Sequence, residues 1–223
     1  KDMKLKKNII AIIPALDRNR YSKNGDLHSW GTSTLLEWKL SQIKKVKNIK
    51  DIYVSTPSKI IKDMCKKLGV KTIERNKKDN LHDFHEKISL KFKNNYLLFL
   101  NTTSPFLSET IIDNIINSFD KKKNKFDSIL TVIKKKDYYF HKNKSVNFDF
   151  NDKSKSRSLL SPLSKVTNGA YLIHPKSCNE KKNIIGYKPF FYEVDWMTSL
   201  EINSLNDLKI YNLLIKSYFK INR

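Results

Sequence analysis

Short apolar runs rich in β-branched residues alternate along this chain with stripes of apolar residues at helical spacing. That alternation limits the fold more than any other feature. Asn8-Ile9-Ile10-Ala11-Ile12-Ile13-Pro14 is almost continuously apolar, the pattern of a strand covered on both faces in a parallel sheet. A loop is expected from Ala15 to about Ser33, and then Leu36, Leu40 and Ile43 recur at helical intervals behind Thr34, a suitable helix start. Asp51-Ile52-Tyr53-Val54-Ser55-Thr56 reads as the next strand, and Ile60, Ile61, Met64 and Leu68 as a helix that Gly69 stops. Val70 to Ile73 is a short strand, Leu81 to Phe92 a helix and Tyr96-Leu97-Leu98-Phe99-Leu100 a buried strand. The polar turn Asn101 to Pro105 leads to a helix striped by Ile111, Ile112, Ile115, Ile116 and Phe119, with Ser108 as its N-cap.

This rhythm predicts an α/β fold with a doubly wound, mostly parallel sheet, whose ligands bind beyond the carboxyl ends of the strands. After the strand at Asp127 to Val132 the rhythm breaks into polar, strand-like pieces from Tyr138 to Asp152 and a Ser-rich stretch to Ser164, the pattern of an arm or insertion. It resumes with a strand at Ala170 to Ile173, another near Phe190 to Val194 and a helix from Leu205 to Tyr218. Neither a repeat nor a linker interrupts the chain, so residues 1–223 read as one domain.

Composition sets the classes that remain. Hydrophobic residues make up 39% of the 223 and aromatics 11%, enough for a core despite 30% charged residues. No apolar run approaches the ~20 residues of a membrane helix, and the start from Lys1 to Asn8 lacks the apolar stretch of a secretion signal, so a soluble cytoplasmic protein is expected. Cys65 and Cys178 lie far apart, which fits reduced thiols rather than a disulfide or zinc framework. The formal charge of +22 raises nucleic-acid binding as a rival function. Against it, the lysines are scattered over every predicted element together with abundant Asn and Ile, and no platform of interleaved aromatic and basic residues accompanies them.

Ile9 to Ala15, the run Leu97 to Phe106, Asn168-Gly169-Ala170 and Glu201-Ile202-Asn203, taken in order, resemble the acylneuraminate cytidylyltransferase family, also called CMP-sialic acid synthetases. The stretch from Ile184 to Val194 looks like the subgroup acting on sialic, legionaminic or pseudaminic acids. The resemblance extends from about Ile9 to Leu214. It implies an enzyme in which the anomeric hydroxyl of an acidic nine-carbon 2-keto sugar attacks the α-phosphate of CTP, with Mg2+ as cofactor, pyrophosphate as the second product and a homodimer formed through the arm at residues 138–164. Donors and cations around the phosphates would carry such a reaction.

Carried onto this sequence, the resemblance assigns nucleotide contacts to Ala15, Leu16, Arg18, Arg20, Lys23 and Arg75, and substrate contacts to Asn101, Thr103, Ser104, Arg157 and Asn168. Arg20 and Glu201 would be catalytic, and Glu201 and Asn203 would hold the metal. The chain departs from the family in its loop: Leu16 stands in place of Arg, Asp17 and Arg18 in place of two glycines, and Asn19 in place of Ser, while Arg20 keeps the positive charge of a Lys. Side chains there restrict the approach of main-chain N–H groups to phosphate, and Asp17 would repel it. In the metal element Glu201 and Asn203 replace two Asp residues, so magnesium would bind more weakly unless Asp207 or the nucleotide supplies charge. Asp195 is a further candidate if the chain folds back to it.

Arginine occurs only at positions 18, 20, 75, 157 and 223 of a lysine-rich chain, and retention of its planar fork at 20, 75 and 157 fits anion recognition. These departures leave a second reading open, a member that binds without catalysing. His82 and His85 read as part of an amphipathic helix rather than a metal site, and Trp30, Trp38 and Trp196 as packing residues, with Trp38 toward the sheet.

Overall fold

A computed structural model describes Leu5 and residues 7–76, 78–149 and 156–221, with only the backbone described at 216 and 218–221. In chain order the strands and helices are β1 (Ile9–Pro14), β2 (Ser29–Trp30), β3 (Ser33–Thr34), α1 (Leu35–Ile43), β4 (Ile49–Thr56), α2 (Lys59–Lys67), β5 (Lys71–Glu74), α3 (Leu81–Lys91), β6 (Tyr96–Leu100) and α4 (Glu109–Asp120). They continue with β7 (Ser128–Lys135), β8 (Phe140–His141), β9 (Lys144–Ser145), β10 (Leu163–Ile173), α5 (Pro175–Lys181), β11 (Pro189–Glu193) and α6 (Leu205–Ile221).

Seven strands form the main sheet in the order β11-β7-β10-β6-β1-β4-β5. β6, β1, β4 and β5 are mutually parallel, as are β11 and β7, whereas β10 runs antiparallel to both neighbours. The apolar runs look continuous because each strand is covered on both faces. Ile9, Ala11 and Ile13 of β1 and Tyr96, Leu98 and Leu100 of β6 join the cluster formed with α1, α2 and α4. Ile10, Ile12, Leu97 and Phe99 alternate into the opposite cluster with Phe84 and Ile88 of α3 and Cys178 of α5. α6 closes a third cluster of Trp30, Leu35, Ile202, Leu208 and Ile215.

The expected elements start where local chemistry allows. Thr34 accepts from the Glu37 N–H and Glu37 returns to the Thr34 N–H, a capping box worth about 1 kcal/mol. Ser58, Asn80 and Ser108 cap α2, α3 and α4 by accepting the N–H three residues on, and Gly69, at φ 66°, ends α2. Three features differ from the sequence reading. The expected loop contains the β2–β3 hairpin, β10 begins seven residues before Ala170, and α5 was not foreseen. The pieces between Tyr138 and Asp152 reduce to the two-residue pairing of β8 with β9, and residues 150–155 lie outside the described set.

Trp38 packs against the α6 cluster rather than the sheet, and Trp196 is 57% exposed rather than packed. Both thiols are free and buried. No helix among the described residues is long and apolar enough to cross a membrane. The order of strands reverses beside β1, because the chain builds outward through β4 and β5 and then returns to place β6 on the other side. The crevice beyond the carboxyl ends of β1 and β6 is therefore where a ligand is to be sought.

Candidate functional site

Four chain segments meet at that crevice. The first is the loop after β1, which is held from within. The carboxylate of Asp26, a residue only 6% exposed, accepts the Leu16 N–H at 2.7 Å and the Thr102 hydroxyl at 2.6 Å, while the Asp26 N–H donates to the Leu16 carbonyl at 2.8 Å. Burial raises the Asp26 pKa, and the two hydrogen bonds to the ionised form only partly oppose that rise. Gly25, at φ 51°, makes this closure possible: a Cβ there would lie 2.1 Å from the Leu16 oxygen.

The Ala15 N–H is likewise taken, by the Ser55 carbonyl at 3.0 Å. Ala15 and Leu16, assigned as nucleotide contacts by the resemblance, therefore have both main-chain N–H groups bonded within the protein. Asp17 does not point where it would repel a phosphate. It accepts from the Ser58 hydroxyl at 2.5 Å, at the start of α2. Arg18 and Lys23 are exposed and line a cleft of about 440 Å³ with Asp17, Asn24, Leu27 and Ile60. Asn19 tightens the loop by accepting the N–H groups of Tyr21 and Ser22 at 3.3 and 2.9 Å, and Arg20 projects from this reversal.

The second segment is the turn after β6, spanning residues 101–107. Asn101 donates from Nδ2 to the Asn168 carbonyl at 2.8 Å, and the Thr103 carbonyl accepts the Ile202 N–H at 2.8 Å. Ser104 is corrected as a sugar contact: it is 1% exposed, and its hydroxyl turns inward to the Thr167 carbonyl at 3.5 Å.

The third segment is an irregularity in β10. Val166 pairs with Val132 and Tyr171 with Leu130, so residues 167–170 oppose the single residue Thr131. The Thr131 hydroxyl receives the Thr167 hydroxyl at 2.7 Å and the Ala170 N–H at 3.2 Å, which stabilises the bulge. Asn168 adopts φ 52°, a left-handed conformation uncommon outside glycine. Its Nδ2 donates to Glu201 Oε1 at 2.9 Å, and its Oδ1 accepts a short hydrogen bond from the Tyr171 hydroxyl. Burial, assisted by the Glu201 charge, pushes Tyr171 up to about 12, so the phenol stays protonated as a donor. Tyr171 was read only as part of a strand, and no local signal distinguishes it from a core tyrosine.

The fourth segment carries Glu201 and Asn203 ahead of α6. Asn203 Oδ1 accepts from Arg20 Nη2 at 3.2 Å, which joins the first loop to this element. Asp207 accepts the Asn203 N–H at 3.0 Å and the Ser204 hydroxyl at 2.8 Å, so it caps α6 instead of adding charge beside Glu201. Asp195 accepts from the Thr198 N–H and hydroxyl at 2.9 and 2.7 Å, and its pKa is lowered chiefly by the Thr198 N–H. It lines a separate cleft with Trp38, Gln42 and Phe106.

The structure therefore brings Arg20, Asn101, Thr103, Asn168, Glu201 and Asn203 together. Among the described residues no hydrogen bond or ion pair joins Arg75 or Arg157 to this group: the Arg75 guanidinium lies over the Phe84 ring at 4.9 Å, and Arg157, within the arm, pairs with Asp137 at 3.1 Å. His85 is buried, with its pKa down to about 4 for that reason, and the described residues contain no group of three or more His, Cys, Asp or Glu side chains able to hold a metal.

The donor set at residues 201–203 does not fit a resident magnesium ion. One Glu201 oxygen is engaged by Asn168, and the one Asn203 atom that could ligate already faces a guanidinium.

Comparison with known proteins supplies the wider setting. An uncharacterized protein of Methanocaldococcus jannaschii is 31% identical over 127 residues, which cover 55% of this chain and 51% of that protein. The chain thus spans about half the length of that relative. The solved structure of a CMP:2-keto-3-deoxy-manno-octonic acid synthetase complexed with CTP superposes with a TM-score of 0.70 at 10% identity, over 95% of this chain and 99% of the other. The 4-diphosphocytidyl-2C-methyl-D-erythritol synthase of Anaerococcus prevotii superposes with a TM-score of 0.68 at 17% identity, over 93% and 96%. At such identities the superpositions establish the shared α/β nucleotidyltransferase fold. Because a cytidylyltransferase family model matches residues 21–209, which hold six of the seven strands of the main sheet though not β1 or the loop as far as Arg20, this chain belongs to the cytidylyltransferase family.

Proposed function

We propose that this protein transfers the cytidylyl group of CTP to an acidic sugar of the nine-carbon 2-keto class, releasing pyrophosphate. The observation that carries this reading is the convergence of Arg20, Asn101, Asn168 and Glu201 on the crevice at the reversal of strand order, in a chain of this family. The sugar hydroxyl oxygen forms a bond to the α-phosphorus as the bond to the β-phosphate oxygen breaks. The hydroxyl proton passes to Glu201, whose second carboxylate oxygen carries no hydrogen bond from the described residues. Arg20 lies where a guanidinium can offset the charge growing on the phosphates, and the amides of Asn101 and Asn168 orient the sugar. Arg18 and Lys23, beside the first loop, attract the triphosphate. A magnesium ion carried by the nucleotide would supply charge neutralisation at the phosphates, and the residues at 201–203 would not hold it. The exposed aromatic residues of the arm, Tyr138 and Phe140, suit a homodimer contact.

One set of observations favours a second reading, a member that binds ligand but turns it over poorly. The Leu16 and Ala15 N–H groups are spent on Asp26 and Ser55, and the metal element keeps a single carboxylate. Pyrophosphate release from CTP with a panel of 2-keto sugar acids separates the two. The first reading expects release with at least one acid and a loss of about 100-fold or more in Arg20→Ala. Tight CTP binding without release selects the second, and release that is unaffected in Arg20→Ala removes Arg20 from the site.

A further inference from the structure

Lys39, in the middle of α1, is 0% exposed. Its Nζ donates to the Ser104 carbonyl at 2.9 Å and lies 3.4 Å from the Leu107 carbonyl, on the protein side of the turn that presents Asn101 and Thr103. Two α1 neighbours complete the clamp, as Trp38 Nε1 and Gln42 Nε2 both donate to the Pro105 carbonyl, at 2.7 and 3.1 Å. Holding a carbonyl does not itself require a charge, as the neutral donors Trp38 and Gln42 show. Yet no carboxylate of the described residues lies within 4.0 Å of the ammonium.

The described acidic groups on the elements around it make no ion pair with it. Glu37 of α1 is bound in the capping box, Glu109 of α4 pairs with Lys45 at 3.4 Å, and Asp26 holds Leu16 and Thr102. Asp113 of α4 makes no ion pair with Lys39 although its Oδ1 is buried without a hydrogen-bond partner among the described residues, and Glu201 and Asp207, beyond the turn, are bound to Asn168 and Ser204. Lys44 and Lys45 are the nearest cations along α1 and point elsewhere, to the Leu68 carbonyl and Glu109.

An ammonium taken out of water without a counter-charge is a standing cost to the closed turn. That cost falls if an anion settles on the outer side of the same turn. We propose that Lys39 is a positioning residue that couples closure of the 101–107 turn to an anionic ligand, with proton uptake by Lys39 accompanying ligand binding. The proposal rests on the reading of the crevice as a nucleotide site, but its first consequence concerns the protein alone.

Burial is the sole cause that brings Lys39 down to about 7. When the turn opens to solvent the amine regains the ordinary lysine value. The opened state therefore binds more protons between those two values, and rising pH favours the closed state. The reporter is the Ile202 N–H, which bonds the Thr103 carbonyl across the turn. Its hydrogen-exchange protection, corrected for intrinsic exchange, is expected to rise by up to about tenfold per pH unit above pH 7 in the wild type. In Lys39→Met, which keeps the stem and removes the charge, the slope should vanish, while protection of the Ile12 amide in β1 shows that the variant remains folded.

A flat wild-type profile overturns the proposal, as does the same slope in the folded variant. Should Lys39→Met not fold, the wild-type slope of Ile202 still decides, provided that Ile202 exchanges faster than Ile12 and therefore through opening of the turn rather than of the whole fold. The ligand arm is calorimetry with CTP at pH 8 in two buffers of different ionisation enthalpy. Proton uptake in the wild type that is lost in Lys39→Met supports the coupling, and binding without uptake refutes it. If CTP gives no heat while the Ile202 slope holds, the nucleotide reading fails and the turn-positioning role of Lys39 stands.

Discussion

Replacing Gly25 with alanine tests how the loop after β1 is built, and Gly69→Ala supplies the control. Both glycines sit in the left-handed region, at φ 51° and φ 66°. In either place alanine meets the same backbone penalty, on the order of 1 kcal/mol. Their surroundings differ. A Cβ on Gly69 meets nothing within 4 Å, whereas one on Gly25 falls 2.1 Å from the Leu16 oxygen, 2.6 Å from the Arg18 nitrogen and 2.8 Å from the Asp17 carbonyl carbon.

All three obstacles are main chain, so no rotamer change relieves them, and the loop must part from Asp26. That separation removes the reciprocal Leu16–Asp26 hydrogen bonds and leaves a buried carboxylate with fewer donors, about 1–3 kcal/mol more. The expected losses are thus about 1 kcal/mol for Gly69→Ala and about 3 kcal/mol or more for Gly25→Ala. Urea denaturation at constant slope measures both. Equal losses in the two variants would falsify the claim that close packing against Leu16, rather than backbone conformation alone, requires glycine at position 25.

Asp26→Asn keeps an acceptor for the Leu16 N–H and removes the buried charge. Because the folded pKa of Asp26 is raised, its contribution is full below the ordinary carboxylate value and fades as pH rises through the folded value. Wild type should therefore lose stability relative to Asp26→Asn between pH 4 and pH 7, and parallel urea curves at the two pH values would contradict this. Tyr171→Phe releases the Asn168 amide, for a stability change of about 1 kcal/mol. Pyrophosphate release should fall about tenfold in the same variant, and an unchanged rate would remove Tyr171 from the site's support. Cys65 and Cys178, buried and raised to about 11 and about 12, should resist an aromatic disulfide reagent in the native state and react fully in urea.

Much of the architecture was legible because it is written in local chemistry. The runs at Ile9 and Tyr96 look featureless until the sheet assigns alternate residues to opposite clusters, and being apolar throughout is what a strand covered on both sides requires. Thr34 and Ser108 announce helix starts because a side-chain oxygen can reach an N–H three residues on. The direction of β10 was not legible, since an antiparallel strand buried on both faces has the same composition as a parallel one.

The site divides along the same line. The resemblance selected Arg20, Asn101, Asn168, Glu201 and Asn203, which the fold places side by side, and also Arg75, Ser104 and Arg157, which contact other residues. A side chain's direction decides those three, and the fold turns them to Phe84, to Thr167 and to Asp137.

By itself the sequence determined that strands and helices alternate, where most of them begin, and that glycine and capping residues punctuate them, all interactions that close within a few positions. Only the tertiary structure decided that Asp26 takes the Leu16 N–H, that Lys39 is buried with no counter-charge among the described residues, and that Tyr171 and Glu201 converge on Asn168. The physical reason is range. Arg20 and Asn203 are 183 residues apart, and Asn101 and Asn168 are 67 apart. Bonds over such separations form only after the strand crossings have brought the ends of β1, β6 and β10 side by side.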